Sequence, residues 1–183
     1  MNELALVGGG VRSGKSAFAL ALARRLGIRR AFVATAQAFD REMEERIALH
    51  RAERDGEFAT VEEPLDLPGA LARVHDADVV VVDCLTLWLS NLLLRGDSAA
   101  DVAAAVERLA AELARRRLHA VLVTNEVGMG VVPESALGRL FRDVAGRAHQ
   151  RLARDADRVY LAALGCVLRL RPGPVSLARP EDP

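Results

Sequence analysis

The segment LVGGGVRSGKSAFAL, Leu6 to Leu20, holds the residues best suited to chemistry. Gly9-x4-Gly14-Lys15-Ser16 has the spacing of a phosphate-binding P-loop, between an apolar run and an apolar helical pattern. The glycines let successive backbone N–H groups turn toward phosphate oxygens, and the helix N-terminus adds its positive end. Gly9, Gly10, Val11, Arg12, Ser13, Gly14, Lys15 and Ser16 make up the cradle. Of the 25 Lys and Arg residues in the chain, only Lys15 is a lysine. A guanidinium is broad, planar and suited to fork-shaped partners, whereas an ammonium is a compact charge that fits a tight loop against β- and γ-phosphates. Function therefore keeps Lys15 in a chain that otherwise prefers arginine. Ser16 offers a hydroxyl to Mg²⁺.

Three other places carry candidate chemistry. DVVVVDC ends an apolar run on Asp83, where a carboxylate can hold Mg²⁺ directly or through water; an ordinary turn aspartate is the alternative. From Asp40 to Arg54 a helical pattern puts Met43, Ile47 and His50 on one stripe, with Arg46, Arg51 and Arg54 around the histidine. Nearby positive charge disfavours the imidazolium, which would help keep His50 neutral, and the same arginines would gather a polyphosphate; a nucleophile for phosphorus is one reading. A helix-surface histidine beside solvated arginines would look the same. Asn125 and Glu126, after the run AVLVT, suit sensing of a γ-phosphate, orientation of an attacking group, or capping of a turn.

These groups need a scaffold, and the chain describes one. The runs LALV, AFVAT, VVVVD, AVLVT and VYLAAL are nearly continuous in apolar residues, as strands buried on both faces of a parallel sheet are. Helical patterns separate them; in DVAAAVERLAAELARRR, Val102, Val106, Leu109 and Leu113 share a face, and Arg115 to Arg117 suit the helix C-terminus. The expectation is an α/β, P-loop NTPase-type three-layer fold with a mostly parallel central sheet. The carboxyl ends of the runs carry Gly, Thr, Gln, Asp, Asn and Glu, which is where such sheets form their ligand crevice. One catalytic domain is expected over 1–171, with a Pro-rich tail over 172–183 that lacks a periodic face and is expected to be frayed or disordered.

Composition narrows the classes. Net charge is zero, with 25 basic and 25 acidic residues, so no footprint for nucleic acid or an anionic membrane is expected. The most apolar window contains Asp83 and falls short of the roughly 20 residues of a membrane span. MNELALVGGG lacks the basic start of a secretory leader. A soluble, cytoplasmic protein is expected. Cys84 and Cys166 fit no metal-ligand spacing and are expected as buried free thiols. No NKxD-type guanine motif is present, which disfavours a switch GTPase.

In order along the chain, GGVRSGKS, ATAQAFDREMEERIALHR, TVEEPLDL, DCLTLWLSNLL and VTNEVGMGVVPESALGRLFRDVAGRAHQRLARDAD resemble one family. It is the bifunctional adenosylcobinamide kinase/adenosylcobinamide-phosphate guanylyltransferase family of cobalamin biosynthesis. RI-x-x-H-R, TNEVG-x-G-(I/V)-VP and FRD-x-x-G-x-x-x-Q are its specific motifs. The resemblance implies a RecA-like P-loop domain and two reactions. ATP or GTP phosphorylates adenosylcobinamide; GTP then gives GMP to adenosylcobinamide phosphate through a guanylylated histidine, releasing pyrophosphate. By position that histidine is His50, and the catalytic group of the kinase step is Lys15 in the cradle. The resemblance further implies nucleotide contacts at Ala34, Thr35, Ala36, Arg51, Ala52, Glu53, Arg54, Glu62 and Asp83, and a homo-oligomer, a trimer. Glu62 suits either a guanine N1–H and amino group or solvent.

The chain departs from the family at His149, where Asn is common, and at Phe58, where Trp is frequent. Neither is expected to touch the catalytic set. His75 and His119 read as structural, and Trp88 as core or interface rather than a stacking platform. A kinase with an inactive His50, or a non-catalytic nucleotide-binding regulator, would share the cradle.

Overall fold

A computed structural model describes residues 2–38, 41–52 and 56–179, and in the second helix the side chains at 42, 43, 46, 49, 50 and 52 lie outside that description. In chain order the elements are β1 (Leu4–Gly9), α1 (Lys15–Leu26), β2 (Arg30–Ala34), α2 (Arg41–Ala52), β3 (Phe58–Glu62), α3 (Leu67–Ala72) and β4 (Val79–Asp83). They continue with α4 (Leu85–Arg95), α5 (Ala99–Arg115), β5 (His119–Asn125), α6 (Ala136–Asp155), β6 (Arg158–Ala163), β7 (Cys166–Arg171) and β8 (Ser176–Leu177). One sheet runs β3-β2-β4-β5-β1-β6-β7-β8. Its pairings are parallel from β3 through β6 and antiparallel at β7 and β8.

The strands are continuous in apolar residues because both faces are covered. Leu4 and Leu6 of β1 pack with Val80, Val82, Leu122 and the inner faces of α3 to α6. Their neighbours Ala5 and Val7 point the other way, against Phe18, Ala19, Leu22 and Ala23 of α1. Three layers result, as expected. The α5 stripe of Val102, Val106, Leu109 and Leu113 is buried throughout. Ser98 and Asp101 close its start reciprocally, Asp101 N donating to Ser98 Oγ (3.2 Å) and Ser98 N to Asp101 Oδ2 (3.0 Å). Arg116 caps its end, donating from Nη1 to the Leu113 carbonyl at 2.6 Å.

Two details differ from expectation. The Pro-rich segment turns back at β8, and Ala178 N donates to Val167 O (2.7 Å), because the antiparallel β7 edge offers backbone partners that need no apolar periodicity. Residues 180–183 lie outside the described part. Cys84 is buried, but Cys166 is exposed where β7 begins. His119 behaves structurally, its Nδ1 accepting from Glu3 N at 3.0 Å. Trp88 is fully buried and donates from Nε1 to Leu65 O at 2.8 Å. No helix among the described residues is long and apolar enough to cross a membrane.

Candidate active site

The parallel strands β1, β2, β4, β5 and β6 all finish at one edge of the sheet, so Gly9, Ala34, Asp83, Asn125 and Ala163 arrive together there. The cradle opens from the central strand β1. A Cβ on Gly9 would stand 2.5 Å from Ala162 O and 2.7 Å from Ser13 Oγ, so only glycine lets the loop leave β1 against β6. Gly14 has φ 95°, a left-handed turn that aims the start of α1 into the loop. Ser13 N donates to Gly10 O at 3.3 Å and Phe18 N to Gly14 O at 3.0 Å, which closes loop and helix into one turn.

Lys15 is 9% exposed, and its Nζ lies over the loop, donating to Gly10 O at 3.2 Å. A single charge held beside a glycine loop at a helix N-terminus suits a triphosphate. Ser13 is buried, with no hydrogen-bond partner for its hydroxyl. Gly10, Val11, Arg12 and Gly14 are exposed along the rim, and Ser16 is half-buried. Neighbouring loops brace the cradle: Glu126 N donates to Gly9 O (3.0 Å), and Gly165 N to Ser13 O (3.2 Å).

A second, buried network fixes the ends of β2 and β4. Thr35 is fully buried; its Oγ1 donates to Cys84 O (2.7 Å) and accepts from Cys84 N (2.9 Å). Its amide donates to Asp83 O at 3.3 Å. Thr35 therefore holds Asp83 in place with a hydroxyl already engaged, while Ala34 and Ala36 remain half-buried beside it. Asn91 of α4 donates from Nδ2 to Thr35 O (2.8 Å) and Pro64 O (3.1 Å). Burial and the neighbouring Asp83 carboxylate push the Cys84 thiol up to about 11, so it is an inert packing group.

At the end of β5, Asn125 donates from Nδ2 to Thr86 Oγ1 (3.2 Å), and its buried Oδ1 has no partner. Glu126 bends back to accept from Gly128 N at 2.6 Å. His149 reaches this corner from α6. Its Nε2 meets Thr124 Oγ1 at 2.6 Å, and its Nδ1 lies 3.9 Å from Glu126 Oε2. Burial lowers the imidazole pKa, and the Glu126 carboxylate partly opposes that. His149, expected not to touch the catalytic set, meets Thr124 and Glu126 at the end of β5. Phe58, the other departure, is buried against Phe32 and lies beneath Arg24 and Arg30.

The helix expected at 40–54 forms as α2, which includes His50, Arg51 and Ala52. The side chains of His50 and Ala52, and residues Glu53 and Arg54, lie outside the described part. Arg51 forms an ion pair with the exposed Glu62 at the end of β3, tying α2 to the crevice edge. Thr86 and Asn91 lie within DCLTLWLSNLL, but the sequence assigns no role to them or to Gly165. Their roles are hydrogen bonds between elements far apart in sequence.

A family model described as cobinamide kinase / cobinamide phosphate guanyltransferase matches residues 5–170. The chain is 44% identical over 174 residues to the bifunctional adenosylcobalamin biosynthesis protein CobP of Pseudomonas aeruginosa, covering 93% of this chain and 98% of that protein. It is 40% identical over 179 residues to the protein CobU of Escherichia coli, covering 91% of this chain and 98% of its relative. Among solved structures, a RadB recombinase superposes with a TM-score of 0.51 at 18% identity, over 97% of this chain and 86% of that one. An ATPase of a type III secretion system superposes with a TM-score of 0.53 at 12% identity, over 87% and 50%. These two likenesses bear on the fold alone, which is the expected RecA-like P-loop type. The match over nearly the whole chain and the P-loop at its core together place this protein in the cobinamide kinase / cobinamide phosphate guanyltransferase family.

Proposed function

We propose that this protein performs both family reactions on adenosylcobinamide, using one nucleotide crevice. The observation that carries the reading is the buried Lys15 held over a glycine cradle at the sheet's carboxyl edge. In the kinase step the substrate hydroxyl oxygen attacks the γ-phosphorus of ATP or GTP. The bond to the β-phosphate oxygen breaks, the nucleoside diphosphate leaves, and the hydroxyl proton is given up. Catalysis of this kind is mainly positioning and charge neutralisation, which Lys15 and the loop amides supply.

Ser16 and Asp83 offer oxygen ligands suited to a hard cation, and no cluster of three acidic, His or Cys ligands occurs among the described residues. That donor set fits Mg²⁺ carried in with the phosphates and water rather than a closed protein cage. Such an ion would neutralise charge on the β- and γ-oxygens.

In the second step His50 attacks the α-phosphorus of GTP. Pyrophosphate leaves, and GMP is held as a phosphoramidate. A phosphate oxygen of adenosylcobinamide phosphate then attacks that phosphorus, the P–N bond breaks, and adenosylcobinamide-GDP departs. Arg51 and Glu62 would steady the nucleotide beside α2, with Glu53 and Arg54 following in sequence. A homo-oligomer, a trimer as the resemblance implies, belongs to the same reading.

The test is pyrophosphate release from GTP, with and without cobinamide phosphate. Sustained release only with the corrinoid phosphate is expected. Slow loss of γ-phosphate, whatever the corrinoid, would contradict the reading and leave a nucleotide-binding regulator.

A further inference from the structure

Among the described residues twelve large hydrophobics are exposed, and five of them lie on just three loops: Val11 (79% exposed), Met129 (80%), Val131 (94%), Val132 (57%) and Leu164 (100%). These loops follow β1, β5 and β6, and those strands are adjacent in the order β5-β1-β6. The loops are bonded to each other at the cradle by Glu126 N to Gly9 O (3.0 Å) and Gly165 N to Ser13 O (3.2 Å). The β5 loop is also braced at its far end, where Arg139 Nη1 donates to Pro133 O (3.0 Å) and Glu134 O (2.6 Å). An apolar collar of side chains therefore lies on the cradle and on the two loops bonded to it.

Phosphates do not call for such a collar, because their partners are Lys15 and the loop amides. Exposed apolar groups clustered around a site mark the body of a ligand whose polar end enters it. Given the proposed reactions, on which this inference rests, the phosphate acceptor is a corrinoid. Its macrocycle is broad and methyl-studded, and it carries its reacting hydroxyl on a flexible arm. Only the tip of the arm needs to reach the cradle, so the ring must rest on the surface beside it. We propose that Val11, Met129, Val131, Val132 and Leu164 form the docking surface for the corrin ring. The braced loops hold this surface at a fixed height above the phosphates, so that the hydroxyl arm, not the ring, enters the crevice.

The proposal is tested on the full chain by equilibrium dialysis against dicyanocobinamide, read by corrin absorbance, so no turnover is required. Wild type is compared with Val131→Ser alone and with Met129→Ser, Val131→Ser and Leu164→Ser combined. GTP affinity, molar mass by light scattering and thermal unfolding are measured on each. The combined variant is expected to bind cobinamide weaker by about tenfold or more, and the single variant by a few-fold, with GTP affinity and mass unchanged. Unchanged cobinamide binding in folded variants would overturn the proposal. An equal fall in GTP affinity would assign the collar to the nucleobase, and a fall in molar mass would assign it to a second copy of the chain; either also overturns it. If wild type binds GTP but no cobinamide, the proposed function itself fails, a result distinct from the others.

Discussion

Lys15 stands where charge alone would not decide the residue. With 25 Lys and Arg residues and a single lysine among them, the chain's composition favours arginine at any position that merely needs a cation. The ammonium is buried against Gly10 O, and the loop turns tightly through Gly14. Lys15→Arg keeps the charge but adds a planar fork that the loop has no room for. The expected loss in kinase turnover is about 10²- to 10³-fold for Lys15→Arg and Lys15→Ala alike, with folding retained. Arginine rescue to within a few-fold of wild type would show that charge is enough. His149 gives a second expectation at this scale. Burial holds its pKa below the ordinary value of 6.5, so the unfolded chain binds this proton more readily than the folded one. Stability from this group is intact above about pH 6.5 and is lost as pH falls through the folded value. The melting temperature should decline below that point, and His149→Asn should flatten this part of the profile. A wild-type curve already flat to pH 5 would count against it. Asp78, paired with Arg29 and held at about 2, titrates too low to mimic the effect.

Strands and helices were legible to different degrees, for reasons set by burial. The runs that became β1, β2, β4, β5 and β6 lie between two helical layers and read as continuous apolar stretches. By contrast, β3 is an edge strand, and β7, next to the other edge, mixes apolar residues with arginines and is largely exposed, so neither has such a run. At two residues, β8 has no period to read. The cradle was legible because phosphate binding fixes residue types at short spacing. The Thr35–Cys84–Asn91 network was not, because its bonds join residues 49 to 56 positions apart. Asn91 supports an element-scale expectation. Asn91→Ala removes the donor shared by two carbonyls, Thr35 O and Pro64 O, within the core edge. Denaturant unfolding should show a loss of roughly 2–3 kcal/mol, with a slackened β2–β4 junction reducing nucleotide affinity as well. A loss under about 0.5 kcal/mol would mean that water replaces the amide without strain.

On the scale of the molecule, one sheet with a helix layer on each face carries the cradle, Asp83 and the β5 corner, and a single cooperative unit is expected. The only tryptophan, Trp88, is fully buried beneath this arrangement and reports on its packing. Its fluorescence and the far-UV circular dichroism should unfold at coincident denaturant midpoints; separated midpoints would reveal independent subunits of structure. The same unity underlies the functional account, in which one crevice serves γ-phosphoryl transfer over Lys15 and guanylyl transfer from α2. The most direct measurement is incubation with Mg²⁺ and GTP labelled at the α-phosphate, followed by denaturation and a search for label on the chain. The account expects covalent label that is stable to alkali, labile to acid, and absent from His50→Ala. An unlabelled wild-type chain under conditions where GTP binds, or equal labelling of His50→Ala, would contradict it.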